Sequence, residues 1–350
     1  MIEEQKKNKI RLNSIDWLRV TAVIMILYDH MGGLRNKEWV LKRVIDGIFT
    51  VPLNIIQDFG AFGVSIFFLV SGFLFTYYET YENPVKRRLK GIIKIYLTNI
   101  SSFLFFAIFN WIINQFHETY WSQFSIKQWL LSGSLIGYFI GSGDVINGTT
   151  WFLIPFFLFY LVSIIYALFH DKYGYKSFII IYFILVGFFF IMHIYNTKIS
   201  PILVFVFIPI SGMVLGEFFR HGSNISIINL IFLQLANWVI MVLCFKYFYY
   251  LHYAESLYLV SYTYAFCMLI IFVMMENYFK ENKYVKFICD ISLSIYLLQM
   301  TFGGFLMTVL YDLGVNFSLS FLITCAFILI ISWLHHVFIE VKFLKNIIKL

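Results

Sequence analysis

The sequence predicts an all-α, polytopic membrane bundle of about ten helices with both termini in the cytoplasm. Three observations predict it. Hydrophobic residues make up 61% of the 350-residue chain and charged residues only 13%, whereas a soluble domain carries about 25% charged residues and could not cover so much apolar surface. Apolar runs of span length recur along the whole chain, with short polar turns between many of them. Lysines and arginines crowd alternate connections. The same composition excludes an ordinary soluble enzyme, a disordered chain and a disulfide-rich secreted domain.

A membrane helix needs about 20 largely apolar residues. Such runs fall at 15–31, 59–78, 91–116, 149–169, 177–195, 201–219, 226–245, 257–276, 291–312 and 317–338. No internal repeat or soluble domain interrupts them, so 1–350 reads as one membrane-embedded domain with residues 1–14 as a cytoplasmic tail. The polar start, Met1 to Arg11, has no short apolar core followed by small residues and so does not read as a cleavable signal. Pro155 and Pro209 fall inside spans, where neighbouring helices accommodate them.

Orientation follows from the flanking cations. With the N-terminus inside, the inner connections hold Lys6, Lys7, Lys9, Arg11, the run Lys86, Arg87, Arg88, Lys90 and Lys94, and then Lys172, Lys176, Arg220, Lys280, Lys283, Lys286, Lys342, Lys345 and Lys349. The outer connections hold only Arg35, Lys37, Lys42, Arg43, Lys127, Lys198 and Lys246. The net charge of +7 is therefore read as inside-facing loops rather than nucleic-acid binding. Between Asn36 and Phe49, Val40, Leu41, Val44, Ile45, Ile48 and Phe49 recur at helical spacing. This predicts an amphipathic helix in the outer interface, a connector packed on the bundle or a cover over a substrate groove. Cys244, Cys267, Cys289 and Cys325 lie in or beside apolar runs without metal-type spacing and read as buried, inert thiols.

Most acidic residues fall in loops or at span ends, but the first span carries Asp16, Arg19, Asp29 and His30. Ionisable groups inside a span point to function. Arg19 and His30 are eleven residues apart, which on a helix returns to within roughly 20° of one face about 16 Å further on. Asp16, three residues before Arg19, is placed to pair with it. Asp29, next to His30, points elsewhere on a regular helix and is a poor orienting partner for it. The plain alternative has Arg19 snorkelling to the interface and His30 hydrated at the outer boundary. In the second span Gly60, Ser71 and Gly72 suit close helix packing, and Ser71 has no base partner in its own span. The basic run around Arg87 and Arg88 serves either as a topology signal or as a hold for phosphates.

Taken together, these motifs resemble the acyltransferase 3 family of integral membrane acyltransferases. Ile15-Asp-Trp-Leu-Arg19 followed by His30 fits the family's Arg-x10-His pattern, and Ser65-Ile-Phe-Phe-Leu-Val-Ser-Gly-Phe-Leu74 is similar to its second-span motif. Arg87 and Arg88 follow at the corresponding place, then Thr150-Trp-Phe-Leu153 leading into Tyr160, and Ile291-Ser-Leu-Ser-Ile-Tyr-Leu-Leu298. Two positions depart. Gln299 stands where many members have His, and Glu340 is followed by Val-Lys rather than by the usual proline two residues on; neither is assigned to catalysis. The chain also stops soon after its last span, without the extracytoplasmic esterase-like domain of some longer relatives.

The resemblance implies transfer of an acyl group, usually acetyl, from acyl-CoA to a hydroxyl of a surface or lipid-linked carbohydrate. Capsule, exopolysaccharide, teichoic acid or a lipid-linked repeat unit are the expected acceptor classes, in the plasma membrane of a bacterium among membrane lipids. Acetyl-CoA is then a donor substrate, and no metal is expected. His30 is expected as general base, with a transient acyl-histidine as the second possibility. Arg19 is expected in the donor channel with Asp16 fixing it, and Arg87 and Arg88 at the CoA phosphates. Trp121 and Trp129 are aromatic residues on the outer side, as interfacial belt or as sugar platforms. The competing class is a flippase or exporter of a polysaccharide or lipid-linked sugar, which the absence of an inverted repeat speaks against.

Overall fold

Apolar runs this long fold as helices in lipid because only a helix satisfies its own backbone hydrogen bonds there. A computed structural model describes residues 11–55, 59–78, 84–113, 124–139, 145–146, 148–195, 201–220, 223–248 and 255–343, and among these there is no strand. Lys6, Lys7, Lys9, Trp121, Lys198, Lys345 and Lys349 lie outside the described residues. Each of the ten expected spans falls on a helix. They are α1 (Asn13–Tyr28), α3 (Gly60–Tyr77), α4 (Pro84–Ile113), α6 (Leu153–Tyr173), α7 (Ser177–Ile194), α8 (Phe207–Phe219), α9 (Ile227–Phe248), α10 (Glu255–Met274), α11 (Lys283–Leu298) continued by α12 (Gly304–Asp312), and α13 (Phe317–His335). Between them lie the shorter α2 (Val40–Ile45) and α5 (Ile126–Gly133). Seven helical stretches, one of them containing both α6 and α7, are long and apolar enough to cross a membrane by length and composition; the helix at Tyr258–Met274 is a shorter apolar one. The protein is a multi-pass membrane helix bundle.

α3 forms the centre. Val64, Ile66, Phe68, Leu69, Val70 and Phe73 are buried against α8, whose Phe207, Ile208, Ile210, Met213 and Val214 are buried in turn. Glycines set this crossing. A Cβ on Gly72 would strike the Pro209 carbonyl, one on Gly212 the Leu69 carbonyl, and one on Gly216 the Phe73 carbonyl. Lipid offers no hydrophobic drive between spans, so backbone approach of this kind replaces it. Gly60 does not serve this crossing; its α-carbon faces the Asp29 carboxylate. Pro155 and Pro209 stand third in α6 and α8. Each follows a 3-10 turn, Gly148–Phe152 or Pro201–Val206, that runs straight into the α-helix.

α1 begins on a cap donated from another span. Leu12 at its N-cap position makes no side-chain cap, and Glu276, just past α10, accepts from the backbone amides of Asn13 at 2.8 Å and Ser14 at 2.9 Å. A carboxylate at a helix N-terminus is favoured by the helix dipole. This ties the span that carries Arg19 and His30 to α10.

Two expectations change. The apolar face of the 36–49 segment does not pack on the bundle: Val40, Leu41, Val44, Ile48 and Phe49 are exposed, as suits a helix that presents this face to lipid. Trp39 anchors the segment, stacking with Tyr28, packing on Phe321 and donating to Ser318 Oγ at 2.9 Å. Of the four thiols, Cys244 and Cys289 are buried, Cys325 is partly so and Cys267 is exposed on α10. An apolar run has a lipid face as well as a core face, and composition does not separate them.

Candidate active site

Regular helix geometry governs α1 up to Tyr28, after which residues Asp29–Gly33 form a π-helical turn. The span of α11 does the same at Gln299–Gly303 before continuing as α12. The two π-helical turns bring His30 beside Gln299. A π-turn carries an extra residue per turn and re-aims the side chains beyond it. That is why Asp29, expected to point away, has its Oδ2 3.4 Å from His30 Nε2. Both side chains are largely enclosed, Asp29 at 2% and His30 at 14% exposure. The Gln299 carboxamide faces the ring, while His30 Nδ1 makes no hydrogen bond among the described residues.

Arg19 lies along the same pair of spans, nearer the start of α1. Its Nη2 donates to Ser292 Oγ at 2.8 Å and to the Cys289 carbonyl at 3.2 Å, both on α11. Ser292 Oγ donates in turn to the Cys289 carbonyl at 2.8 Å. Arg19 makes no ion pair among the described residues. The expected partner, Asp16, is engaged elsewhere: its carboxylate pairs with Arg11, and its carbonyl accepts from Cys289 Sγ at 3.1 Å. Asp16 stands in the first turn of α1, where a carboxylate favours the helix and Arg11 is within reach. The orientation of Arg19 therefore rests on Ser292 and a main-chain carbonyl.

Arg19 opens onto a cavity of about 380 Å³ between α1, α3, α4, α6 and α11. Ser71, Tyr160, Ser292 and Tyr296 supply its polar groups, and Phe67, Phe75 and Phe156 are among its apolar walls. Gly91 of α4 admits the Tyr160 ring, since a Cβ there would lie 2.7 Å from it. The basic run divides at this cavity. Arg87 is exposed, whereas Arg88 is 1% exposed and lays its guanidinium over Phe75 at 4.1 Å from the ring centroid. The two arginines do not form one phosphate hold: a helix turns about 100° between neighbours, so only Arg88 faces inward, close enough to Tyr160 to bear on it electrostatically.

A second cavity, of about 410 Å³, opens at the far end of the same spans, lined by Arg35, Asn36, Thr308, Tyr311 and Ser320 among others. The order along the two spans is the same. On the first it is Arg19, His30, Arg35; on the other it is Ser292 and Tyr296, then Gln299, then Met307 and Thr308. In the order along these spans His30 thus falls between the two cavities, lining neither of them. Trp129 is not a free platform; it packs against Phe103 and Phe106. Among the described residues no group of three or more His, Cys, Asp or Glu side chains is arranged to hold a metal ion.

Three participants were missed in the sequence: Asp29, Gln299 and Ser292. A signal for the first two exists. Each π-turn runs into a Gly-Gly pair, Gly32-Gly33 and Gly303-Gly304, within otherwise apolar helices. Ser292 carried only its place in the motif Ile291–Leu298, with nothing to tie it to Arg19.

The model of the acyltransferase 3 family, described as an acyltransferase domain, matches residues 12–337. No curated protein and no solved structure matches the chain. The match takes in both π-turns, both cavities and every residue of the site, and the chain belongs to the acyltransferase 3 family of membrane acyltransferases.

Proposed function

We propose that this protein moves an acyl group, in the first instance acetyl, from cytoplasmic acyl-CoA to a hydroxyl of a cell-surface or lipid-linked carbohydrate. The observation that supports this best is the position of His30 between two cavities on one pair of spans. In this reading the cavity at Arg19 faces the cytoplasm, as the crowding of Lys and Arg at that end suggests. Its aromatic walls suit the slender pantetheine arm of a CoA thioester; Arg19 lines it, and Arg88 stands behind its Phe75 wall as a second cation for the donor. The cavity at Arg35 faces the outside of a bacterial plasma membrane and takes the acceptor.

His30 accepts the proton of the acceptor hydroxyl as that oxygen bonds to the thioester carbonyl carbon. Asp29, 3.4 Å away, stabilises the imidazolium that forms. The carbon–sulfur bond breaks, and His30 returns the proton to the departing thiolate, so the residue ends as it began. Arg19, steadied by Ser292 and the Cys289 carbonyl, faces the donor cavity and holds the donor in the channel by its charge. Asp16 supports the start of α1 through Arg11.

The test is acyl transfer by purified protein in detergent. His30→Ala and Arg19→Ala should each abolish transfer from acetyl-CoA while the protein still reaches the membrane. Full activity of His30→Ala would overturn the mechanism. Absence of both acyl-CoA hydrolysis and acyl transfer in the unaltered protein would overturn the function.

A further inference from the structure

Beyond the site itself, one cluster of cations has no part in moving the acyl group. Arg35, Lys37, Lys42 and Arg43 follow the first span within nine residues. Lys42 is occupied by Asp46 at 2.9 Å, and Glu38 offsets some of the remaining charge. Arg35 is different in placement. It lines the 410 Å³ cavity, and its Nε donates to the His30 carbonyl at 2.9 Å. That bond fixes the guanidinium one residue's reach from the proposed base. The other two guanidinium nitrogens make no hydrogen bond or ion pair among the described residues.

The rest of the cavity fits a charged saccharide. Asn36, Thr308 and Ser320 bring neutral hydrogen-bonding groups, and Tyr311 and Phe317 bring rings of the kind that lie against a sugar face. Among the described residues no carboxylate lines it. A guanidinium with a free fork is shaped for a phosphate or carboxylate, which it binds through two parallel hydrogen bonds.

We propose that the acceptor carries a fixed anion, a phosphodiester or a carboxylate, close to the hydroxyl that is acylated, and that Arg35 holds this anion while His30 takes the hydroxyl proton. Arg35 is on this account a specificity residue that chooses anionic over neutral glycans. The inference rests on the acyl-transfer reading above.

The experiment compares paired acceptors in detergent with acetyl-CoA as donor. One arm uses a neutral hexose oligomer, one the same oligomer bearing uronic acids, and one a glycerol phosphate polymer. The unaltered protein should acylate at least one anionic acceptor with a KM about tenfold or more below that for the neutral one, the scale of a charge-assisted hydrogen bond. Arg35→Gln should raise the KM for the anionic acceptor by about the same factor and erase the preference. A further arm adds anionic or zwitterionic lipid. If an anionic headgroup rather than a glycan fills the cavity, the anionic lipid alone will inhibit competitively with acceptor, and the proposal falls. Equal KM values for neutral and anionic acceptors, or an Arg35→Gln protein that keeps its preference, would also overturn it. These failures are distinct from failure of the function: they are read in a protein that transfers acyl groups and loses transfer in His30→Ala.

Discussion

Replacing Asp29 by Asn should cost the protein most of its turnover while leaving it folded. The carboxylate lies 3.4 Å from His30 Nε2, and both groups are largely shielded from water. At that distance and an effective dielectric constant of about 20, a full charge pair is worth about 5 kcal/mol. His30 carries its full charge only after it has taken the acceptor proton. At the transition state roughly half that charge has developed, so about half the energy is engaged. The expected loss in kcat is therefore between about 50-fold, for half the interaction, and several-thousand-fold, for all of it. A companion variant separates charge from position. A Cβ at residue 60 would lie 2.7 Å from Asp29 Cγ, so Gly60→Ala keeps the carboxylate but pushes it off the ring. Both variants should lower kcat and leave the KM for acyl-CoA unchanged, since neither residue lines the cavity at Arg19. The assay is steady-state transfer in detergent, with membrane insertion and thermal unfolding as controls. An Asp29→Asn protein within about threefold of normal kcat, a difference of under about 1 kcal/mol, would refute the pairing of Asp29 with His30 as the working unit.

Two further outcomes follow from the geometry. Arg88→Ala should raise the KM for acyl-CoA about tenfold or more, the scale of a lost charge-assisted hydrogen bond to a donor phosphate, whereas exposed Arg87→Ala should change it little; equal responses would return both to topology signals. Gly212→Ala should lower stability by about 1–3 kcal/mol, since its Cβ meets the Leu69 main chain and a backbone cannot swing aside, while Gly187→Ala, with open space around it, should be neutral or slightly stabilising; thermal unfolding in detergent compares the two directly.

The fold was legible because lipid makes the rule simple. A long apolar run must be a helix, so ten runs became ten helices. Their faces were not legible. Hydrophobicity is nearly uniform around these spans, and Cys267 does not declare whether it meets lipid or protein. Small residues declare more. Gly72 was readable as a packing residue, and Gly212 with Gly216, four apart, could have been. At the site, Arg19 and His30 stood out because so little else is ionisable. Their partners did not, for a physical reason in each case. Asp16 was paired with Arg19 by counting along one helix, but a side chain three residues away competes with Arg11 and with groups on α11 that one helix's spacing cannot show. Arg87 and Arg88 read alike in sequence and differ only in which way a helix turns them.

Asp29 was misread because a period of 3.6 residues was assumed where the chain abandons it. The departure is itself informative. Two spans break regular helix at the same level, each at a segment that ends in paired glycines, and the two breaks meet around His30. Glycine is the weakest helix former after proline, so a Gly-Gly pair inside an apolar helix loosens the local hydrogen-bond ladder in a solvent that offers no replacement partners. Here the space is used closely: a Cβ on Gly32 would meet Trp39, and one on Gly303 would meet Met31 and Ile328. The same turns that weaken the helices let Trp39, Met31 and Ile328 close around the site and aim two consecutive side chains, Asp29 and His30, at each other. A regular helix would hold Asp29 and His30 about 100° apart, with the base unsupported when it takes a proton. In the proposed mechanism, the irregularity at this level is what gives a lone histidine in a membrane span a carboxylate to support its charge.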